Sequence, residues 1–245
     1  MILRFRSAFV ILLCLVLPSV ALAALPAVDP PVRYMSLGDS LAAGYKAQPA
    51  TKGYSYQLYL DEVFGSIPNT LFDNAAVPGA TSSDVLNFQI PQVHLFEPTV
   101  VTMSVGGNDL LGLLGLPNPT QAAPAVLQDF AANLSAILAH LCYSMPPRGN
   151  IYLQNLYTIP EIPGADSVVP LFNQTLLQVV WGVKRLDGCL DKTIAVADVY
   201  SAFSRKQGLL LIEKYLKRGI HVLEPHPTNK GYEVIEEAFR AVIVR

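Results

Sequence analysis

Short apolar runs and longer stretches of helical period alternate along this chain. Val32–Leu37 reads as a strand, and Tyr54–Phe64 as a helix with Tyr54, Leu58 and Val63 on or near one face. Thr70–Ala75 reads as a short strand, and Thr81–Gln89 as a helix opening on the cap residues Thr-Ser-Ser-Asp. Thr99–Val105, "TVVTMSV", is β-branched and nearly all apolar, which is the pattern of a central parallel strand covered on both faces. A long helix is predicted over Ala125–Tyr143, a strand over Asn150–Leu156, a helix over Pro170–Leu186 and a strand over Thr193–Ala197. The last helix runs from about Thr228 to Val244, where Tyr232, Ile235, Phe239 and Val242 recur at helical spacing. This alternation predicts an α/β fold in three layers, a five-stranded parallel sheet with helices on both faces.

Composition narrows the picture. The chain has 245 residues, 51% hydrophobic and 15% charged, with no Gly/Ser-rich linker, internal repeat or low-complexity tract, so one domain over 24–245 is expected. Residues 1–23 are set apart as a signal peptide. Arg4 and Arg6 precede the apolar run Ala8–Leu17, then come Pro18, Ser19 and the small-x-small Ala21-Leu22-Ala23. The alternative is an uncleaved membrane anchor, for which the run is short. Leu13 stands before Cys14 where a lipoprotein signal would have a small residue, so Cys14 is read as part of the apolar run.

Export with cleavage near Ala23 implies a secreted or periplasmic protein. Cleavage takes two arginines and no acid from a formal net charge of −2, leaving −4. No basic patch points to nucleic acid. Cys142 and Cys189 would remain, as one disulfide or as two separate buried thiols. With no CxxC or Cys/His cluster, no metal or cofactor is expected.

In a parallel α/β sheet, reactive groups gather in the loops at the carboxyl ends of the strands. Four such loops carry chemistry: "GDSL" after the first strand, "VPGATSS" after the second, "GGND" after the third and "EPHPT" before the last helix. Ser40 is a nucleophile if a base takes its proton; otherwise Asp39 or Ser40 is the cap of a strand-to-helix turn. There is no GxSxG elbow, and no GxGxxG at this turn to suggest a dinucleotide. Of the four histidines, His94 and His140 read as packing or surface residues, and His221 sits in the apolar approach "GIHVL". His226 lies between Pro225 and Pro227, just before the electropositive start of the last helix, which favours the neutral imidazole a base requires. Gly79 offers a backbone N–H and Asn108 a side-chain amide to a developing oxyanion. Each loop alone reads equally as a plain turn. Together they supply every part of an acyl-transfer site.

The order "GDSL" at Gly38–Leu41, "PGAT" at Pro78–Thr81, "GGND" at Gly106–Asp109 and "HPTNKGY" at His226–Tyr232 resembles the SGNH, or GDSL, hydrolase family of esterases and lipases. The likeness runs from Val32 to the last helix. The phrases "YMSLGDSLAAGY" and "KGYSYQLY" resemble the secreted bacterial lipase and lysophospholipase-like members. The resemblance implies a flavodoxin-like five-stranded parallel sheet. It also implies Ser40 as nucleophile, His226 as base, and an oxyanion hole of Ser40 N–H, Gly79 N–H and the Asn108 amide. The family usually has Asp three residues before the histidine. Leu223 stands there, and Glu224 is the nearest carboxylate, so either Glu224 orients His226 or a backbone carbonyl does.

The expected activity is a secreted serine hydrolase of carboxylic esters, with lipid or aryl esters favoured and transient contact with lipid. The alternatives are a carbohydrate O-acetylesterase and a non-catalytic exported binding module. Leu110–Leu116, "LLGLLGL", is either an apolar wall for the acyl group or a helix start facing the core.

Overall fold

The computed structural model describes residues 31–61, 63–159, 162–204, 215–217, 220–222 and 226–243. The predicted leader, Leu223 and Glu224 lie outside the described residues.

The chain opens with β1 (Arg33–Gly38) and α1 (Tyr54–Leu60). Then come β2 (Leu71–Asn74), α2 (Ser82–Asp84), a π-helical stretch at Val85–Gln89, and α3 (Ile90–Phe96). Next are β3 (Val100–Ser104), α4 (Gly107–Leu114), α5 (Pro119–Ser144) and β4 (Asn150–Gln154). The remainder is α6 (Ala165–Val183), β5 (Thr193–Ala197), α7 (Val199–Ser204), a hairpin of β6 (Tyr215–Lys217) with β7 (Ile220–Val222), and α8 (Asn229–Arg240). His221 falls in β7.

Five strands form one parallel sheet in the order β2-β1-β3-β4-β5. The three-layer α/β expectation therefore holds. β3 is central and buried along its whole length, as its β-branched sequence demands. Side chains alternate between two cores. Met35, Leu37, Val101, Met103, Ile151 and Leu153 face α3, α4, α5 and α6. Tyr34, Val100, Tyr152 and Ala197 face α1, α7 and α8. On α5 the buried residues Phe130, Leu134, Ile137, Leu138, Leu141 and Cys142 make one continuous stripe, and its last turn is joined to the chain ahead of β5 by a Cys142–Cys189 disulfide.

Some boundaries differ from expectation. α5 starts at Pro119, and α6 starts at Ala165 after Gly164 in the left-handed region (φ 83°). Each contains a proline, Pro124 and Pro170, in its second turn, where the sequence reading had begun α6. α1 stops at Leu60 because Asp61 is extended, and α8 stops at Arg240. No helix follows "GDSL". Ser40–Lys46 is a run of turns.

Candidate active site

The site is assembled where β1 and β3 lie side by side, with β1's next neighbour, β2, on its other flank. This is the position at which the strand order reverses. β1 ends on Gly38, whose φ of 123° lies in the left-handed region. A Cβ there would fall 1.9 Å from the Ser104 carbonyl oxygen, so only glycine lets β1 turn away beside β3. The buried Gln89 side chain clamps both sides of this residue. Its Oε1 accepts from Gly38 N–H at 2.7 Å, and its Nε2 donates to Gly38 C=O at 2.8 Å. Gln89 went unnoticed in the sequence because nothing local marks it; its partner is 51 residues away.

With no helix to cap, the Asp39 side chain instead holds the turn itself. Its Oδ1 accepts from Leu41 N–H (3.0 Å) and from Ser104 Oγ (2.9 Å), and Ser104 Oγ accepts in turn from Gln154 Nε2 (3.1 Å). The ends of β1, β3 and β4 are thus tied together under the turn that carries Ser40. Burial pushes the Asp39 carboxyl up to about 6, against the opposing pull of those donors.

Ser40 and Asn108 line one cavity with His226. Asn108 stands in the first turn of α4, and its Nδ2 donates to Ala80 C=O at 2.9 Å, joining the "GGND" and "PGAT" loops. Gly79 adopts φ 90° with open space around an added Cβ. Its glycine is therefore required by the backbone angle rather than by crowding. Thr81 caps α2 as predicted, in a capping box with Asp84. Asp109 serves the same loop from the far side, accepting from Ser82 N–H (2.9 Å) and Ser82 Oγ (2.5 Å). Hydrogen bonds from Thr81 hold the Asp84 carboxyl below its usual value.

His226 is half-buried and enters the cavity just ahead of the Thr228 cap of α8. His94 and His140 are exposed on α3 and α5, and neither lines the cavity. The cavity has a volume of about 110 Å³, and its remaining wall is largely apolar. Leu110 and Leu111 of α4 contribute, so the "LLGLLGL" segment is both helix and wall; Leu113 turns into the core and Leu116 is exposed. Leu156, Tyr157, Ile159 and Ile162 from the chain between β4 and α6, with Ala165 and Val169 of α6, complete the wall, which the sequence did not single out. Among the described residues no group of three or more His, Cys, Asp or Glu is placed to hold a metal ion.

A profile of the GDSL-like Lipase/Acylhydrolase family matches residues 36–234. A spore germination lipase of Bacillus licheniformis is 24% identical over 220 residues, covering 86% of this chain and 95% of that protein. Among solved structures, a phospholipase A1 from Streptomyces albidoflavus superposes with a TM-score of 0.63 at 17% identity, covering 87% of this chain and 100% of the other. An acetylxylan esterase from Geobacillus stearothermophilus gives 0.63 at 18%, covering 87% and 95%.

Proposed function

Since the chain belongs to the GDSL-like Lipase/Acylhydrolase family and is a carboxylic ester hydrolase by that membership, we propose that it works through an acyl-enzyme on Ser40. One observation carries this: Ser40, Asn108 and His226 share a single apolar-walled cavity beside the carboxyl ends of β1 and β3. Ser40 Oγ attacks the acyl carbonyl while His226 takes its proton. The oxyanion accepts from Ser40 N–H, Gly79 N–H and the Asn108 amide. As the tetrahedral intermediate collapses, His226 returns the proton to the leaving alcohol. Water, deprotonated by His226, then attacks the acyl-enzyme; as this second intermediate collapses the acyl–Oγ bond breaks, His226 returns the proton to Ser40 Oγ, and the acid leaves.

The wall favours an apolar acyl group, since Leu110, Leu111, Leu156, Ile159, Ile162 and Val169 supply most of it and Tyr157 is its one hydroxyl besides Ser40. A cavity of about 110 Å³ lined in this way suits a short apolar acyl segment. The substrates we assign are aryl and lipid esters that can place such a segment against the wall.

Turnover of p-nitrophenyl esters of graded length tests this. Butyrate or hexanoate should be the best substrate, and Ser40→Ala should lose roughly a thousandfold or more in kcat. A fluorophosphonate should label the wild type but not Ser40→Ala. Absence of both turnover and labelling would make the protein a binding module, and a strict preference for acetyl sugars would make it a carbohydrate esterase. Glu224→Gln distinguishes the orienting group. A large fall in kcat assigns it to Glu224, and an unchanged kcat assigns it to a backbone carbonyl. Export belongs to the same proposal, and the intact mass of protein recovered outside the cytoplasm should correspond to a chain beginning after Ala23.

A further inference from the structure

Nucleophile and base come from opposite ends of the domain, Ser40 after β1 and His226 before α8. Acyl transfer demands that their separation and relative orientation be held closely, since a misplacement of about 1 Å is enough to cost on the order of a hundredfold. Tyr45 touches both. Its N–H donates to the Ser40 carbonyl at 2.9 Å. Its ring packs against the His226 ring, with centroids 4.7 Å apart and planes inclined at 64°, the tilted arrangement aromatic rings prefer. Its own carbonyl accepts from the Tyr232 hydroxyl at 2.6 Å, and Tyr232 is fully buried in α8.

The following residues are fastened to the same helix. Gln48 N–H donates to Asn229 Oδ1 at 3.0 Å, and Asn229 Nδ2 donates back to Gln48 C=O at 2.5 Å. The segment Tyr45–Gln48 is therefore bound to the first turn of α8 at both ends, immediately behind His226. Tyr45 itself is 43% exposed. A ring kept this far out of the core contributes modestly to stability, yet it lies against the imidazole.

We propose that Tyr45 is a positioning residue for His226: its ring fixes the plane of the imidazole, while its backbone amide and carbonyl join the nucleophile turn to the helix that carries the base. This rests on the reading of Ser40 and His226 as nucleophile and base. The chemical step is unchanged by it. What Tyr45 supplies is the fraction of time that the imidazole faces Ser40 Oγ.

Steady-state kinetics on p-nitrophenyl butyrate with thermal midpoints test it in the full chain. Tyr45→Ala should lower kcat by on the order of tenfold to a hundredfold with KM within about twofold and the midpoint little changed. Tyr45→Phe, which keeps the ring, should restore kcat to within about twofold of wild type. Tyr232→Phe, which removes the hydroxyl clamp, should give a smaller loss of kcat. Wild-type kcat in Tyr45→Ala overturns the proposal, and so does a Phe variant as slow as the Ala variant. A Tyr232→Phe variant equal to wild type overturns the clamp. A wild type that a fluorophosphonate fails to label at Ser40 refutes the acyl-enzyme itself. A wild type labelled at the same rate as Tyr45→Ala refutes only the role of Tyr45.

Discussion

Asp39 shows at the scale of one residue how a motif letter acquires its meaning. Read alone, it is a cap candidate; in the fold, its carboxyl is buried, 3% exposed, between Leu41 N–H and Ser104 Oγ with Gln154 behind and the Asp109 charge nearby. Burial raises it from 3.8 to about 6. Between these values the folded protein holds a proton that the unfolded chain has released. Its contribution to stability is therefore present in full below about pH 4, declines as pH rises to about 6, and is level above that. The span corresponds to about 3 kcal/mol. In Asp39→Asn, which keeps an acceptor for Leu41 and Ser104 but cannot ionise, that decline should disappear. Urea midpoints of the two proteins at pH 4, 5, 6 and 7 check this, because other titrating groups cancel in the difference. Parallel curves would refute it.

At the scale of elements, the loops that carry Gly79 and Asn108 are held by their neighbours more than by themselves. The loop after β2 is fixed by the Thr81 capping box, by Asn108 reaching Ala80, and by Asp109 on both donors of the buried Ser82, whose Oγ also accepts from Asn133 Nδ2. Asp109→Ala leaves two buried donors without their acceptor, and a loss of about 2 kcal/mol is expected together with a lower kcat. Chemical denaturation and ester turnover measure the two effects. Unchanged stability would mean that Ser82 finds another acceptor.

The element boundaries show where local reading ran out. Thr81 was legible as a cap because its partners lie within one turn. The start of α6 was misplaced at Pro170 because proline signals a helix start. The actual start is dictated by Gly164, whose left-handed φ is invisible until the chain is folded. The strand-to-helix turn offered as one reading of "GDSL" is a run of turns with no helix, with Tyr45 N–H donating to the Ser40 carbonyl and α8 holding the segment beyond.

For the molecule as a whole, the Cys142–Cys189 disulfide closes a loop of 47 residues between α5 and the chain entering β5. In the loop-entropy view such a closure contributes about 4 kcal/mol. Cys142→Ala with Cys189→Ala, or the reduced wild type, should unfold at a temperature lower by roughly 10 °C. Both should keep ester turnover at 25 °C, because neither cysteine lines the cavity. A thermal midpoint unmoved by reduction would rule the contribution out.

The sequence by itself determined the layered α/β class, the identity and order of the four loops, and the candidate roles of Ser40, Gly79, Asn108 and His226. Those depend on periodicity, turn chemistry and residue type, which act over a few positions. Only the tertiary structure decided that β1 lies beside β3, that Gln89 clamps Gly38, that the Asp39 side chain fastens its turn to Ser104, and that Tyr45 meets both the Ser40 carbonyl and the His226 ring. Each of these is a choice of partner across 50 or more residues or between competing neighbours. A hydrogen-bond donor or a ring carries no sign in its own sequence of which distant group will meet it, because that is settled by how the layers pack.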